Sequence, residues 1–278
     1  MSNGDHFGDE LSLLNLGKLN PSIIKLISAT EKAIGGIFKP MQIRRVAKAK
    51  ADAVLIAAEA DASKQEIASR AGRRIAHLEV KRQENIENIL KEAIKVIPEK
   101  ISEDPVDPDW VAFFFDECKD VGNDEVQKLW GKLLAGEFEK TGTFSRKAIS
   151  ILKTMSSTDT KYFEQMCSMI FIVDNEPGVF APISDCVPRL LSRHLDPLGL
   201  VMIGFDIVKP DHLNEVYFWG KKYRVKFAHD SVANMLAIKR FSPAGIELAR
   251  LARTNSDGVI AALNADLKSQ SAEIVELL

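Results

Sequence analysis

Apolar positions between Met41 and Ile97 recur every eleven residues. Ile56, Ile67, Leu78 and Ile89 form one row. Ala60, Ala71 and Ala93 form a second, interrupted by Arg82, and Ile75, Ile86 and Ile97 form a third. An eleven-residue period is about 3.67 residues per turn, close to the 3.6 of an α-helix. The pattern predicts one helix whose apolar stripe runs almost parallel to its axis, drifting towards a right-handed supercoil. The stretch contains no proline and a single glycine, Gly72. At about 1.5 Å per residue it would be about 85 Å long, longer than any domain this chain can build. Half of the residues from Ala47 to Ala62 are alanine, which favours helix and lets neighbouring backbones approach closely. Two arrangements cover such a stripe: a parallel bundle or ring of copies, or a hairpin folded back at Gly72. No turn cluster surrounds Gly72, so self-association is the expectation. Its residues would be Ile56, Ile67, Ala71, Ile75, Leu78, Ile86 and Ile89.

Shorter patterns flank the long one. Met1 to Glu10 is polar and acidic, and Met1 to Gly17 is expected to be flexible. Asn20-Pro21 is a helix start, with Asn as cap and Pro in the first turn. Ile23, Ile24, Ile27, Ile34, Ile37 and Phe38 then give a short amphipathic helix loosened by Gly35-Gly36. Pro98 ends the long helix, and Ser102 to Asp109, with two Asp-Pro steps, reads as a linker. Four helices are expected next. The first is capped by Asp109 and holds Trp110 and Phe113 to Phe115. The second starts at Asn123 or Asp124 and holds Val126, Leu129, Trp130, Leu133 and Leu134. The third starts at Ser145, and the fourth at Ser157-Thr158-Asp159.

The last third mixes periods. Asp174 to Pro177 reads as a turn, and Val187 to Leu195 as a helix. Val201 to Val208 reads as a strand, Glu215 to Trp219 with Lys222 to Phe227 as a hairpin, and Leu236 to Phe241 as another strand. Ser242-Pro243 caps a helix, and Val259, Ile260, Leu263, Leu267, Ile274 and Leu277 read as a final amphipathic helix. The order helix, strand, hairpin, strand, helix is similar to a winged-helix-like module. The fold class expected is therefore mainly α: a long Ala-rich helix, a helical domain, then a small α+β winged-helix-like module. The boundaries expected are 1–40, 41–101, 102–175, 176–255 and 256–278.

Composition narrows the functions without naming one. The chain has 278 residues, 46% hydrophobic and 27% charged, with a net charge of −2. That balance argues against a protein built wholly for nucleic acid. The charge is uneven, however. Lys39 to Lys50 carries five cations and no acid. Beside the preceding apolar helix, Ile34, Phe38, Lys39, Arg44 and Arg45 are candidates for contact with an anionic membrane surface. The plainer alternative is a helix packed on the protein with solvated cations. Lys221, Lys222, Arg224 and Lys226 on the hairpin are candidates for nucleic-acid contact, against a solvated hairpin face as the plainer reading. Cys118, Cys167 and Cys186 share no metal spacing and read as buried free thiols. No run approaches the roughly 18 apolar residues of a membrane span.

The segment Asp124-Glu125-Val126-Gln127-Lys128-Leu129-Trp130-Gly131-Lys132-Leu133-Leu134-Ala135-Gly136-Glu137 resembles a motif of bacterial proteins grouped as domain of unknown function 2806. Phe144-Ser145, Ile149 to Met155 and Asp159 continue the likeness. So do the basic, alanine-rich helix start and the stretch with Pro105, Asp107 and Trp110. A similar pattern around Leu129-Trp130 and Leu133-Leu134 occurs in the Abi-alpha type of phage abortive-infection proteins. That second resemblance implies a setting in phage defence and covers only the helical domain. Neither family brings catalytic residues.

No P-loop, GxGxxG, HExxH, CxxC or nucleophile elbow is present. The five histidines fall in different predicted elements. The expectation is a non-enzymatic, homo-oligomeric scaffold without cofactor or metal, placed in the cytoplasm or peripherally at the inner membrane. The alternatives are a nucleic-acid-binding winged-helix-type module and a peripheral membrane-associated protein, and a protein partner fits the scaffold reading.

Overall fold

A computed structural model of the chain describes residues 20–35, 52, 62–180, 187–209, 215–218, 221–227, 236–252, 259–267 and 272–277. The chain divides into two compact units, Met1–Arg146 and Lys147–Leu278. No described helix is long and apolar enough to cross a membrane.

The first unit is helical. Helix α1 (Pro21–Ile34) starts as expected, with the Asn20 side chain accepting from the Ser22 N–H at 2.9 Å. Helix α2 (Ala62–Val96) falls within the stretch expected to be one long helix; residues 41–61 of that stretch, Asp52 apart, lie outside the described residues. Helix α3 (Pro108–Cys118) begins two residues before the expected start. Asp107, not Asp109, is its cap, because Pro108 fits the first helical position and the Asp107 carboxylate accepts from the Asp109 N–H. Helix α4 (Asp124–Glu139) has Asn123 as cap, its side chain accepting from Val126 N–H at 3.1 Å.

Helix α2 packs along α4. Ile89, Leu90 and Ala93 are fully buried, as are Trp130, Leu133 and Leu134. Phe114 joins this core, stacked on Trp110 at 5.4 Å and edge-on to Trp130 at 5.2 Å. The 102–109 stretch is fastened within this unit rather than hanging between domains. Ser102 N–H donates to the Phe138 carbonyl, Thr141 donates to the Asp104 carbonyl, and Val106 is buried.

The second unit combines helices with a sheet, and it takes in two helices that precede the expected α+β module of 176–255 and a hairpin that straddles its start. Helices α5 (Arg146–Thr154) and α6 (Ser157–Ser168) lead into strands β1 (Phe171–Val173) and β2 (Glu176–Phe180). Helix α7 (Val187–Leu195) follows, then β3 (Asp206–Val208), β4 (Val216–Phe218), β5 (Lys221–Phe227) and β6 (Leu236–Arg240). Helices α8 (Pro243–Ala249) and α9 (Val259–Leu267) and strand β7 (Ala272–Glu276) complete it. The strands form one antiparallel sheet in the order β3-β6-β2-β1-β4-β5-β7. One face carries an aromatic cluster in which Phe171 stacks on Phe218 at 4.6 Å and meets Phe180 at 4.8 Å.

Four expectations in this unit change. The cap of α6 is Ser156, in a reciprocal capping box with Asp159, one residue earlier than read. The turn at Asp174 is the tip of a hairpin. Asp174 and Asn175 both have positive φ, 55° and 63°, as a two-residue hairpin turn requires. The expected strand from Val201 survives only as Asp206–Val208 and a bridge from Val201 to Phe241, because Gly204 turns the chain with φ 82°. Of the final amphipathic helix, Val259–Leu267 is described as helix, whereas Ile274 lies in β7, paired with Val225 of β5. Cys118 and Cys167 are buried free thiols, as expected, and burial pushes both thiols well above their ordinary range. Cys186 lies outside the described residues.

Candidate assembly surface

Helix α2 has two different halves. From Lys81 onward its neighbours include the 119–122 turn, α3 and, most extensively, α4. Arg82 forms a two-pronged ion pair with Asp120, Nε to Oδ1 at 2.7 Å and Nη2 to Oδ2 at 3.2 Å. That hydrogen bond also raises the pKa of the guanidinium. Asn85 is buried, donates to the Lys119 carbonyl at 2.9 Å, and accepts from Gln127 Nε2 at 3.3 Å. Gln127 also donates to the Val121 carbonyl at 2.8 Å. Two buried amides thus satisfy each other and fix the axial register of α2 on α4.

Further along, Gly131 lets the two helices touch. A Cβ there would lie 2.5 Å from Glu92 Cβ and 2.8 Å from the Ala93 nitrogen. Glu137, itself buried, ties down the following loop. One carboxylate oxygen accepts from Gly142 N–H at 2.6 Å and the other from Phe144 N–H at 2.9 Å. The Phe144 carbonyl in turn accepts from Trp110 Nε1 at 2.7 Å. The 124–137 motif therefore has a structural explanation residue by residue: core at Leu129, Trp130 and Leu133, close approach at Gly131, loop anchorage at Glu137.

The other half of α2, residues 62–80, is about 28 Å of helix at 1.5 Å per residue. The eleven-residue row crosses from one half to the other. Ile89 is 0% exposed, but Leu78 is 40% and Ile67 58% exposed. Ala71, Ile75 and Ile86 are half-buried. Ile56 lies outside the described residues. The row that makes the intramolecular core at Ile89 thus continues as an open apolar edge at Leu78 and Ile67. Glu66 and Arg70 pair across one turn beside it at 3.5 Å, with both side chains largely exposed.

The other candidates are placed differently. Ile34 is half-buried on α1, while Phe38, Lys39, Arg44 and Arg45 lie outside the described residues. Lys221 pairs with Glu276 at 2.9 Å and Lys222 with Glu215 at 2.6 Å. These carboxylates hold both ammonium groups above their usual range. Lys222, Arg224 and Lys226 alternate along β5 and share one sheet face, where Lys222 stands opposite Tyr217 and Lys226 opposite Glu273. Among the described residues no group of three or more His, Cys, Asp or Glu is placed to hold a metal ion.

Sequence reading missed the roles of Asn85, Gln127 and Glu137. The signal available was a polar residue on an otherwise apolar helix face, which calls for a buried partner. No curated protein and no solved structure matches the chain. Residues 69–181 match the model of the family described as protein of unknown function (DUF2806), so the resemblance carried by the 124–137 motif extends over most of α2, through α3 to α6 and the β1–β2 hairpin.

Proposed function

We propose that the protein is a non-enzymatic scaffold whose copies associate through the 62–80 half of α2. The observation that carries this reading is the row Ile67, Leu78, Ile89: buried at one end within the chain, open at the other. Covering a large aliphatic side chain contributes about 1.5–3 kcal/mol when it starts fully exposed, and proportionally less from partial exposure. Repeated on every copy, with Ala71 and Ile75 alongside, the open row supplies a seam for helices lying nearly side by side. Phage defence is the setting that the Abi-alpha-like spacing around Trp130 favours, and the cytoplasm is the compartment that fits reduced, buried thiols.

Light scattering coupled to size exclusion tests the reading on the full chain. The expected mass is a multiple of the monomer. In an Ile67→Asp, Leu78→Asp variant it falls to that of the monomer, because each carboxylate would enter a dry seam unpaired. A monomeric wild-type chain, or a variant of unchanged mass, would overturn the proposal.

A second reading, contact with nucleic acid through the β4–β5 hairpin, rests on Tyr217 standing among Lys222, Arg224 and Lys226 on one sheet face. It is the weaker of the two because Lys221 and Lys222 already have carboxylate partners. Affinity for an oligonucleotide that fell steeply with salt, and fell again in Arg224→Ala, Lys226→Ala, would favour it.

A further inference from the structure

Between α1 and the start of α3, the first unit holds a groove of about 460 Å³. Its floor is Val106, Val111 and Phe138, all buried, and one wall is Ile24 and Ala29 of α1. On α1 the small side chains of Ser28 and Ala29 leave room between the larger Ile24, Lys25 and Lys32. Pro21, Pro105 and Pro108 edge it with short rings. The helix that forms its wall is well fastened: Ser22 donates to the Glu99 carbonyl at 2.7 Å, and Lys25 Nζ to the Ser102 carbonyl at 2.8 Å.

The charge on the lining has one sign. Lys25 and Lys32 are both present, two helical turns apart, and no acid lines the groove. Lys25 is occupied by the Ser102 carbonyl, whereas Lys32 is exposed and makes no ion pair among the described residues. An apolar trough with a cation at its end is complementary to a molecule with an apolar tail and an anionic head. The volume lies within the roughly 300–1,000 Å³ of small-molecule sites.

We propose that this groove binds a free, single-chain amphipathic anion of the alkyl-carboxylate class. The tail lies along Ile24, Ala29, Val106, Val111 and Phe138, and the carboxylate meets Lys32. This site is independent of the assembly surface on α2.

The test is fluorescence titration of the delipidated full chain with dansyl-aminoundecanoate, followed by displacement. Saturable binding is expected, with displacement by dodecanoate at least about tenfold better than by dodecyltrimethylammonium. Ser28→Trp, at an exposed position, fills the groove and removes the signal. Lys32→Glu, also exposed, weakens dodecanoate about fivefold and leaves dodecanol unchanged, since only the charged head loses its partner. Thermal melting by circular dichroism checks that both variants are folded. Non-saturable binding, or binding unchanged in folded Ser28→Trp, overturns the proposal. So does equal displacement by anion and cation. Co-sedimentation with phosphatidylglycerol vesicles that Ser28→Trp abolishes would assign the groove to a bilayer, and would equally overturn a free amphiphile.

Discussion

Replacing Gly131 by alanine tests the helix crossing on which the first unit is built. On propensity alone the change is favourable, since alanine is better than glycine inside a helix by about 1 kcal/mol. The geometry opposes it. The new Cβ would stand 2.5 Å from Glu92 Cβ and 2.8 Å from both the Glu92 carbonyl carbon and the Ala93 nitrogen. Carbon atoms in contact prefer about 3.5–4.0 Å, so α2 and α4 must part by about 1 Å. Two of the three opposing atoms are backbone and cannot swing aside. Overpacking of this kind costs about 1–3 kcal/mol, and here it also stretches the Asn85–Gln127 hydrogen bond, already 3.3 Å long. The net expectation is a loss of about 2 kcal/mol, which moves a urea midpoint by about 1 M. Tryptophan fluorescence in a Trp219→Phe background follows it, because Trp110 and Trp130 are then the reporters and both sit in this core. Gly122→Ala is the control. Its Cβ would meet only Asn85 Oδ1 at 3.8 Å and Lys81 Cε at 3.9 Å, ordinary contacts, and no loss is expected. A Gly131→Ala midpoint equal to or above that of the wild type would refute the close crossing.

Three further outcomes follow from contacts already described. Glu137→Gln replaces one acceptor by an NH₂ group facing an N–H donor at Gly142 or Phe144, and is expected to cost about 2 kcal/mol by the same fluorescence assay. Asn264 accepts from the Ile274 N–H at 2.5 Å and donates to the Ile274 carbonyl at 3.1 Å, so it blocks the outer edge of β7 as a neighbouring strand would. Asn264→Ala leaves both groups bare on an edge strand, and concentration-dependent light scattering on warming is expected to rise. Burial works to raise the Asp159 carboxyl pKa, but hydrogen bonds from Ser156 and His194 outweigh it and hold the group below its usual range. Its contribution to stability is therefore full above the unfolded value of about 3.9 and is lost as pH falls through the folded one. The melting-temperature gap between wild type and Asp159→Asn should accordingly shrink below about pH 4.

The helices were legible wherever local signals agree. Asn20-Pro21 caps as read, Asn123 is one of the two caps read for α4, and the apolar spacing from Val126 to Leu134 locates that helix. Starts were misplaced by a residue or two where several capping residues adjoin, as at Asp107-Pro108-Asp109 and Ser156 to Asp159. The sheet was less legible. Strand β1 is three residues long, and β2 contains Pro177, so neither shows an alternating pattern of useful length. In β7, Ala-Glu-Ile-Val-Glu continues the spacing of the preceding helix. Only its pairing with β5, more than forty positions earlier, decides for strand. The candidate assembly surface was half legible. The eleven-residue period locates the row, but which members are covered depends on where α4 begins, and a single-helix pattern does not contain that.

The nesting of Gly131 against Ala93 has a mechanical consequence. From Ala93 to Ile67 is about 39 Å along the helix, so a tilt of about five degrees about that point swings Ile67 by about 3 Å. The same tilt shifts Asn85, about 12 Å from the pivot, by about 1 Å, enough to rupture its bond to Gln127. The rod is a lever with its fulcrum at a glycine and a latch one-third of the way out. Force applied at the far end has to break both the Arg82–Asp120 ion pair and the amide pair before the body can rock.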